Sequence, residues 1–112
     1  MKKYFHKKLI RDKIPEIIEA NNGHFETRIL EDNEFEIELK KKLIEEAREL
    51  QDADDEEIIG ELADLLELVK SIAAQKGIEF SSVEEKQISK KEKRGGFEKK
   101  IFLEWSDQES GK

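Results

Sequence analysis

The chain has 112 residues, enough for one domain, with 36% hydrophobic and 44% charged residues and no cysteine. That composition excludes disulfide staples, thiolate metal sites and a cysteine nucleophile, and it leaves little apolar material for a solitary core. A net charge of -7 argues against binding a nucleic acid polymer by broad phosphate neutralisation. The first six residues are basic without the apolar run of a signal peptide, and no stretch reaches the ~20 apolar residues of a membrane span. A cytoplasmic protein with no membrane partner is therefore expected.

Residues 1–13 read as basic and irregular. Pro15 suits the first turn of a short helix to Ala20, which Asn22-Gly23 terminates, and residues 24–31 read as a connector or a short extended piece. Asp32 or Asn33 can cap a long helix to Ala53, with Phe35, Leu39, Leu43, Ala47 and Leu50 at steps of three and four. Asp54 and Glu57 have capping-box spacing and open a second long helix to Lys76, closed by Gly77. Its apolar stripe is Ile58, Leu62, Leu65, Leu66, Val69, Ile72 and Ala73. A second box, Ser82 with Glu85, starts a more polar helix to Arg94, which Gly95-Gly96 ends. Residues 97–105 form a short mixed segment expected to dock on the body, and 106–112 a frayed tail. The fold class expected is all-α. An antiparallel helix hairpin forms part of a four-helix-bundle-like single domain over residues 1–105, completed by oligomerisation.

Glu46 and Glu49 lie three residues apart, as do Glu61 and Asp64, so each pair shares a helix face. At ~100° per residue, Glu46 falls inside the arc of Phe35, Leu39, Leu43 and Leu50, and Glu61 falls beside Leu65, Leu68 and Ile72. With a turn near Asp54-Asp55, Glu49 stands level with Glu61, and Glu46 with Asp64. Four carboxylates beside apolar faces require a cation, and an all-oxygen set suits Mg²⁺ or Mn²⁺. The competing reading is a solvated acidic face, in which Lys42 pairs with Glu46, and Lys40 or Lys41 with Glu45.

Glu45-Glu46-Ala47-Arg48-Glu49 followed by Glu61-Leu62-Ala63-Asp64 resembles the Glu-Glu-x-x-Glu … Glu-x-x-Asp motif of MazG-like nucleoside triphosphate pyrophosphohydrolases. This superfamily also includes phosphoribosyl-ATP pyrophosphohydrolase and the dimeric dUTPases. Lys8-Leu9-Ile10-Arg11-Asp12-Lys13-Ile14-Pro15 and Arg94-Gly95-Gly96-Phe97 also look like the MazG-like branch, so the likeness spans residues 7 to 105. The eleven-residue linker between the acidic halves is at the short end of the family pattern.

The resemblance implies a homodimer or higher even-numbered homo-oligomer. It also implies Mg²⁺-dependent hydrolysis of a nucleoside triphosphate between the α- and β-phosphates, with nucleotide-pool house-cleaning as a role. Glu46, Glu49, Glu61 and Asp64 would hold the metal, and Glu45 or Glu49 would orient or deprotonate the attacking water. Arg11, Lys13, Lys90 and Arg94 are the candidate phosphate contacts, although cations in a last helical turn are favoured by the helix dipole without any ligand. Paired glycines after Arg94 would let backbone N–H groups approach an anion. A dedicated phosphoribosyl-ATP enzyme and a non-enzymatic helical module, its acids tied in salt bridges between helices, are the competing functions. Gly60 is either a close-approach point or a tolerated defect, and His6 and His24 read as surface residues.

Overall fold

The computed structural model describes residues 2–109; part of the expected tail, 110–112, lies outside them. Four helices form and, among the described residues, no strand: α1 (Ile14–Ala20), α2 (Asp32–Asp52), α3 (Ile58–Gln75) and α4 (Phe80–Arg94). The protein is all-α, as its pattern of periods predicts. It divides into two compact units, Met1–Phe80 and Ser81–Lys112.

In the first unit, the helix ends follow local chemistry. Asn22 takes a left-handed φ of 60° and closes α1, with Asn22 N–H bonded to Glu19 O at 2.9 Å and Gly23 N–H to Ile18 O at 2.8 Å. Gly77, at φ 69°, closes α3 in the same way, through Ile78 N–H to Ala73 O at 2.8 Å. The start of α2 differs from expectation. Neither Asp32 nor Asn33 caps it; Glu31 stands extended at the cap, and Arg28 bridges to Glu34 at 3.0 Å across the entry.

The box at Asp54 forms. Asp54 Oδ1 accepts the N–H groups of Glu56 and Glu57, both at 3.1 Å, and Glu57 Oε1 accepts Asp54 N–H at 3.3 Å. This closes the turn that reverses the chain, and α2 and α3 pack side by side as an antiparallel hairpin.

Among the described residues, Leu39, Leu68 and Ala73 are the buried apolar side chains, and Phe35, Leu43, Leu50, Leu65, Val69 and Ile72 are half-buried. Three stripe residues fall outside the seam. Ala47 is exposed, Leu62 is 50% exposed and Leu66 47%. The reason is geometric: one neighbouring helix covers only part of a helix circumference, whereas the apolar surface of α3 is broader than that. Ile37 and Ile44 on α2 are likewise more than half exposed.

The second unit carries α4 from its second residue on: the helix begins at Phe80, so Ser82 lies within the first turn rather than at the cap. Its last turn carries Lys91, Lys93 and Arg94, and Gly95, at φ 82°, ends it by donating its N–H to Lys91 O at 2.8 Å. The stretch after it is irregular, with Phe97, Phe102 and Trp105 exposed.

Candidate metal centre of the hairpin

The hairpin brings all four expected metal ligands together, with Glu45 beside them. Carboxylate oxygens of Glu45, Glu46 and Glu49 lie within 4.8 Å of one another, and so do those of Glu46, Glu61 and Asp64. Glu46 belongs to both groups and is only 8% exposed, on the seam beside the leucines. The levels counted from the turn thus predicted that Glu46 and Asp64 meet; Glu61 joins them, while Glu49, expected level with Glu61, groups with Glu45 and Glu46 on its own helix.

Among the described residues, three cations approach this cluster. Lys42 Nζ stands 3.8 Å from Glu46 Oε1, one turn away on the same helix. Lys8 Nζ is 3.9 Å from Glu45 Oε1, and Arg11 Nη2 donates to Asp64 Oδ1 at 2.7 Å. The half-buried Leu9 and Ile10 lie between these two residues, and Ile14 N–H bonds to Arg11 O at 3.1 Å, forming the turn into α1. Five carboxylates against three cations leave the cluster negative.

The imbalance appears in the protonation of the acids. Burial, then the Glu49 and Asp64 carboxylates, push Glu46 up to about 7, against the pull of Lys42. Glu61 is raised as well, by burial first and then by Glu49, Asp64 and Glu57. Glu46 Oε2 and Glu61 Oε2 are buried with no hydrogen-bond partner. Buried oxygen atoms without donors cost several kcal/mol unless a proton or cation reaches them. An all-oxygen donor set with two such atoms fits a hard divalent cation such as Mg²⁺.

Beside the cluster runs an open groove of about 530 Å³, lined among others by Ile44, Glu45, Arg48, Glu49, Glu57 and Glu61. Sequence reasoning passed over Ile44 and Arg48 as groove residues. Their helical spacing with Glu45 and Asp52 places them on one face, which is the signal that was available. Lys13 is exposed at the start of α1. Lys90 and Arg94 are exposed on α4, in the second unit. The expected anion cradle after Arg94 is filled differently: Gly95 N–H ends the helix, and a Cβ at Gly96 would collide with the Glu98 carboxylate, which also pairs with Lys91 at 3.6 Å. Among the described residues, Gly60 has open space where its Cβ would be.

A family profile for phosphoribosyl-ATP pyrophosphohydrolase matches residues 3–91, most of the chain and both acidic pairs. The chain belongs to the phosphoribosyl-ATP pyrophosphohydrolase family. No curated protein and no solved structure matches it significantly. Membership makes it a pyrophosphohydrolase acting on a nucleotide, and hence a hydrolase of acid anhydrides. It also agrees with the superfamily to which the acidic motif points. Among the described residues, no helix is long and apolar enough to cross a membrane.

Proposed function

We propose that this pyrophosphohydrolase cleaves nucleoside triphosphates between the α- and β-phosphates in a Mg²⁺-dependent reaction, releasing nucleoside monophosphate and pyrophosphate. The observation that carries the proposal is the convergence of both acidic pairs around Glu46, with two buried carboxylate oxygens lacking donors. Glu46, Glu49, Glu61 and Asp64 hold the ion, with Mn²⁺ as a substitute. Bound there, the ion supplies neutralisation of the phosphates and polarisation of a water.

The chain's own residues do the rest. Glu45 or Glu49 accepts the proton of the attacking water at a carboxylate oxygen or holds that water in line. Arg11 and Lys13 contact the phosphates from the N-terminal side, while Lys90 and Arg94 enter this reading as cations near the end of α4, Arg94 being singled out by the resemblance as well. The exposed Ile37, Ile44, Leu62 and Leu66 support assembly into a homodimer or a higher even-numbered oligomer, since such a face is covered in a larger bundle. Clearance of the cytoplasmic nucleotide pool is the role proposed for this activity.

A second reading, phosphoribosyl-ATP as the dedicated substrate, is favoured by the matched family description. One panel separates the two: pyrophosphate release from canonical and modified nucleoside triphosphates and from phosphoribosyl-ATP, with Mg²⁺ and with chelator. Chelator-sensitive release across several triphosphates is expected. Turnover of phosphoribosyl-ATP alone would replace the first substrate reading with the second, and release of orthophosphate would overturn the assigned bond.

The non-enzymatic module expects the acids to bridge α2 to α3 through salt bridges. Among the described residues, the cations at the cluster come instead from α2 itself and from the N-terminal segment.

A further inference from the structure

Arg11 presents a charge to Asp64 that a divalent cation would otherwise meet. Its Nη2 lies 2.7 Å from Asp64 Oδ1, one of the oxygen donors grouped with Glu46 and Glu61, although the two residues are 53 positions apart. This is the one hydrogen bond between the N-terminal segment and the acid cluster among the described residues; Lys8, at 3.9 Å from Glu45, adds charge without a bond. Both partners of the Arg11 bridge remain about half exposed. Such a bridge is weak and readily exchanged, because water and salt screen it. A cation that enters the cluster competes for the same carboxylate, and two positive charges on one oxygen repel each other.

We infer that Arg11 is the resident counter-ion of the metal-free cluster, released from Asp64 when the divalent cation binds and thereby freed to meet the anionic substrate. The inference rests on the proposed metal role of Glu46, Glu49, Glu61 and Asp64. It adds a coupling that the reading lacks: one guanidinium weakens metal binding and strengthens substrate binding. Ordered loading follows. Arg11 would give up Asp64 once a cation is held there, and its guanidinium would then meet the substrate phosphates, which engage it better than a lone carboxylate does because several oxygens face its donors. The short turn held by Ile14 N–H to Arg11 O lets the side chain swing while its backbone stays fixed.

The test is Mg²⁺ affinity by calorimetry on the full chain, for the unaltered protein, Arg11→Gln, Arg11→Lys and Lys13→Gln. Arg11→Gln is expected to bind Mg²⁺ about three- to tenfold more tightly. Lys13→Gln, which removes the same charge two positions away, is expected to change it less than twofold. Arg11→Lys should lie between Arg11→Gln and the unaltered protein. For substrate, Arg11→Gln should raise KM, so metal and nucleotide affinities move in opposite directions. A general loss of structure would weaken both. Unchanged or weaker Mg²⁺ binding by Arg11→Gln, or an equal effect at Lys13, overturns this inference alone. Failure of the unaltered protein to bind Mg²⁺ overturns the metal reading along with it.

Discussion

The two ends of the α2–α3 hairpin each place glutamates against the partner helix, and they treat them oppositely. At the end remote from the turn, Glu36 meets Lys76 across the seam and has Lys40 at 3.9 Å on its own helix. The hydrogen bond from Lys76 holds Glu36 below the usual carboxylate range despite its burial. Gln75 adds a side-chain bond to Asp32 O at 3.5 Å. Nearer the turn, Glu46 and Glu61 face other carboxylates, and both are pushed up. Burial alone does not separate a structural acid from a functional one. What separates them is whether the neighbouring helix offers a cation or more acid.

The comparison is most severely tested at Glu61. Glu61→Gln is expected to lower Mg²⁺-dependent pyrophosphate release at least about a hundredfold, since losing a metal ligand exceeds the cost of losing its supporting contacts. Its helical circular dichroism should survive, because the substitution removes a charge from an overly acidic site. Normal turnover by this variant would falsify the proposed ligand set.

The pH dependence of the metal-free protein comes next. Glu46 is raised from an ordinary value of 4.5 to about 7, so the folded state binds its proton more tightly than the unfolded chain does. Its contribution to stability is full below about pH 4.5 and is lost as pH rises through about 7. Thermal melts in chelator should therefore show Tm falling across that window. Glu46→Gln should flatten the decline, and Mg²⁺ should restore Tm at pH 8, with proton release on binding at neutral pH. A Tm that rises through the same window would place the dominant titration elsewhere.

The remote pair should behave as structure only. Lys76→Met is expected to destabilise the fold by up to about 1 kcal/mol, the range for a bridge with partly exposed partners. Glu36→Gln should leave pyrophosphate release unchanged; a loss of activity there would erase the distinction between the two ends. The smallest effect expected is at Gly60, which lies in the first turn of α3 with open space around its Cβ position. Gly60→Ala should stabilise the protein by roughly 0.5 kcal/mol in denaturant titration, because alanine has less backbone freedom to lose.

Much of this hairpin was legible from spacing. Asp54 with Glu57 marked the turn because a capping box is a local hydrogen-bond pattern, complete within four residues. Asn22 and Gly77 marked helix ends because left-handed φ is a property of one residue. The pairing of Glu46 with Asp64 across the seam followed from counting outward from that turn at a fixed rise per residue. Ser82 misled for a complementary reason. A potential capping side chain is only a preference, and α4 begins two residues earlier at Phe80.

By itself, then, the sequence determined that this protein is helical, that its two acidic pairs share a hairpin, and that they face each other. Each of these rests on short-range periodicity and the fixed geometry of a helix. Only the tertiary structure decided that Arg11 reaches Asp64 while Lys13 stands exposed, since the spacing of 53 residues carries no periodic signal. It likewise decided that Leu62 and Leu66 stay outside the seam and that Glu36, unlike Glu46, has a lysine opposite it. Those outcomes depend on which side chain the chain's return happens to place across the gap, and charge and burial there set each carboxylate's protonation.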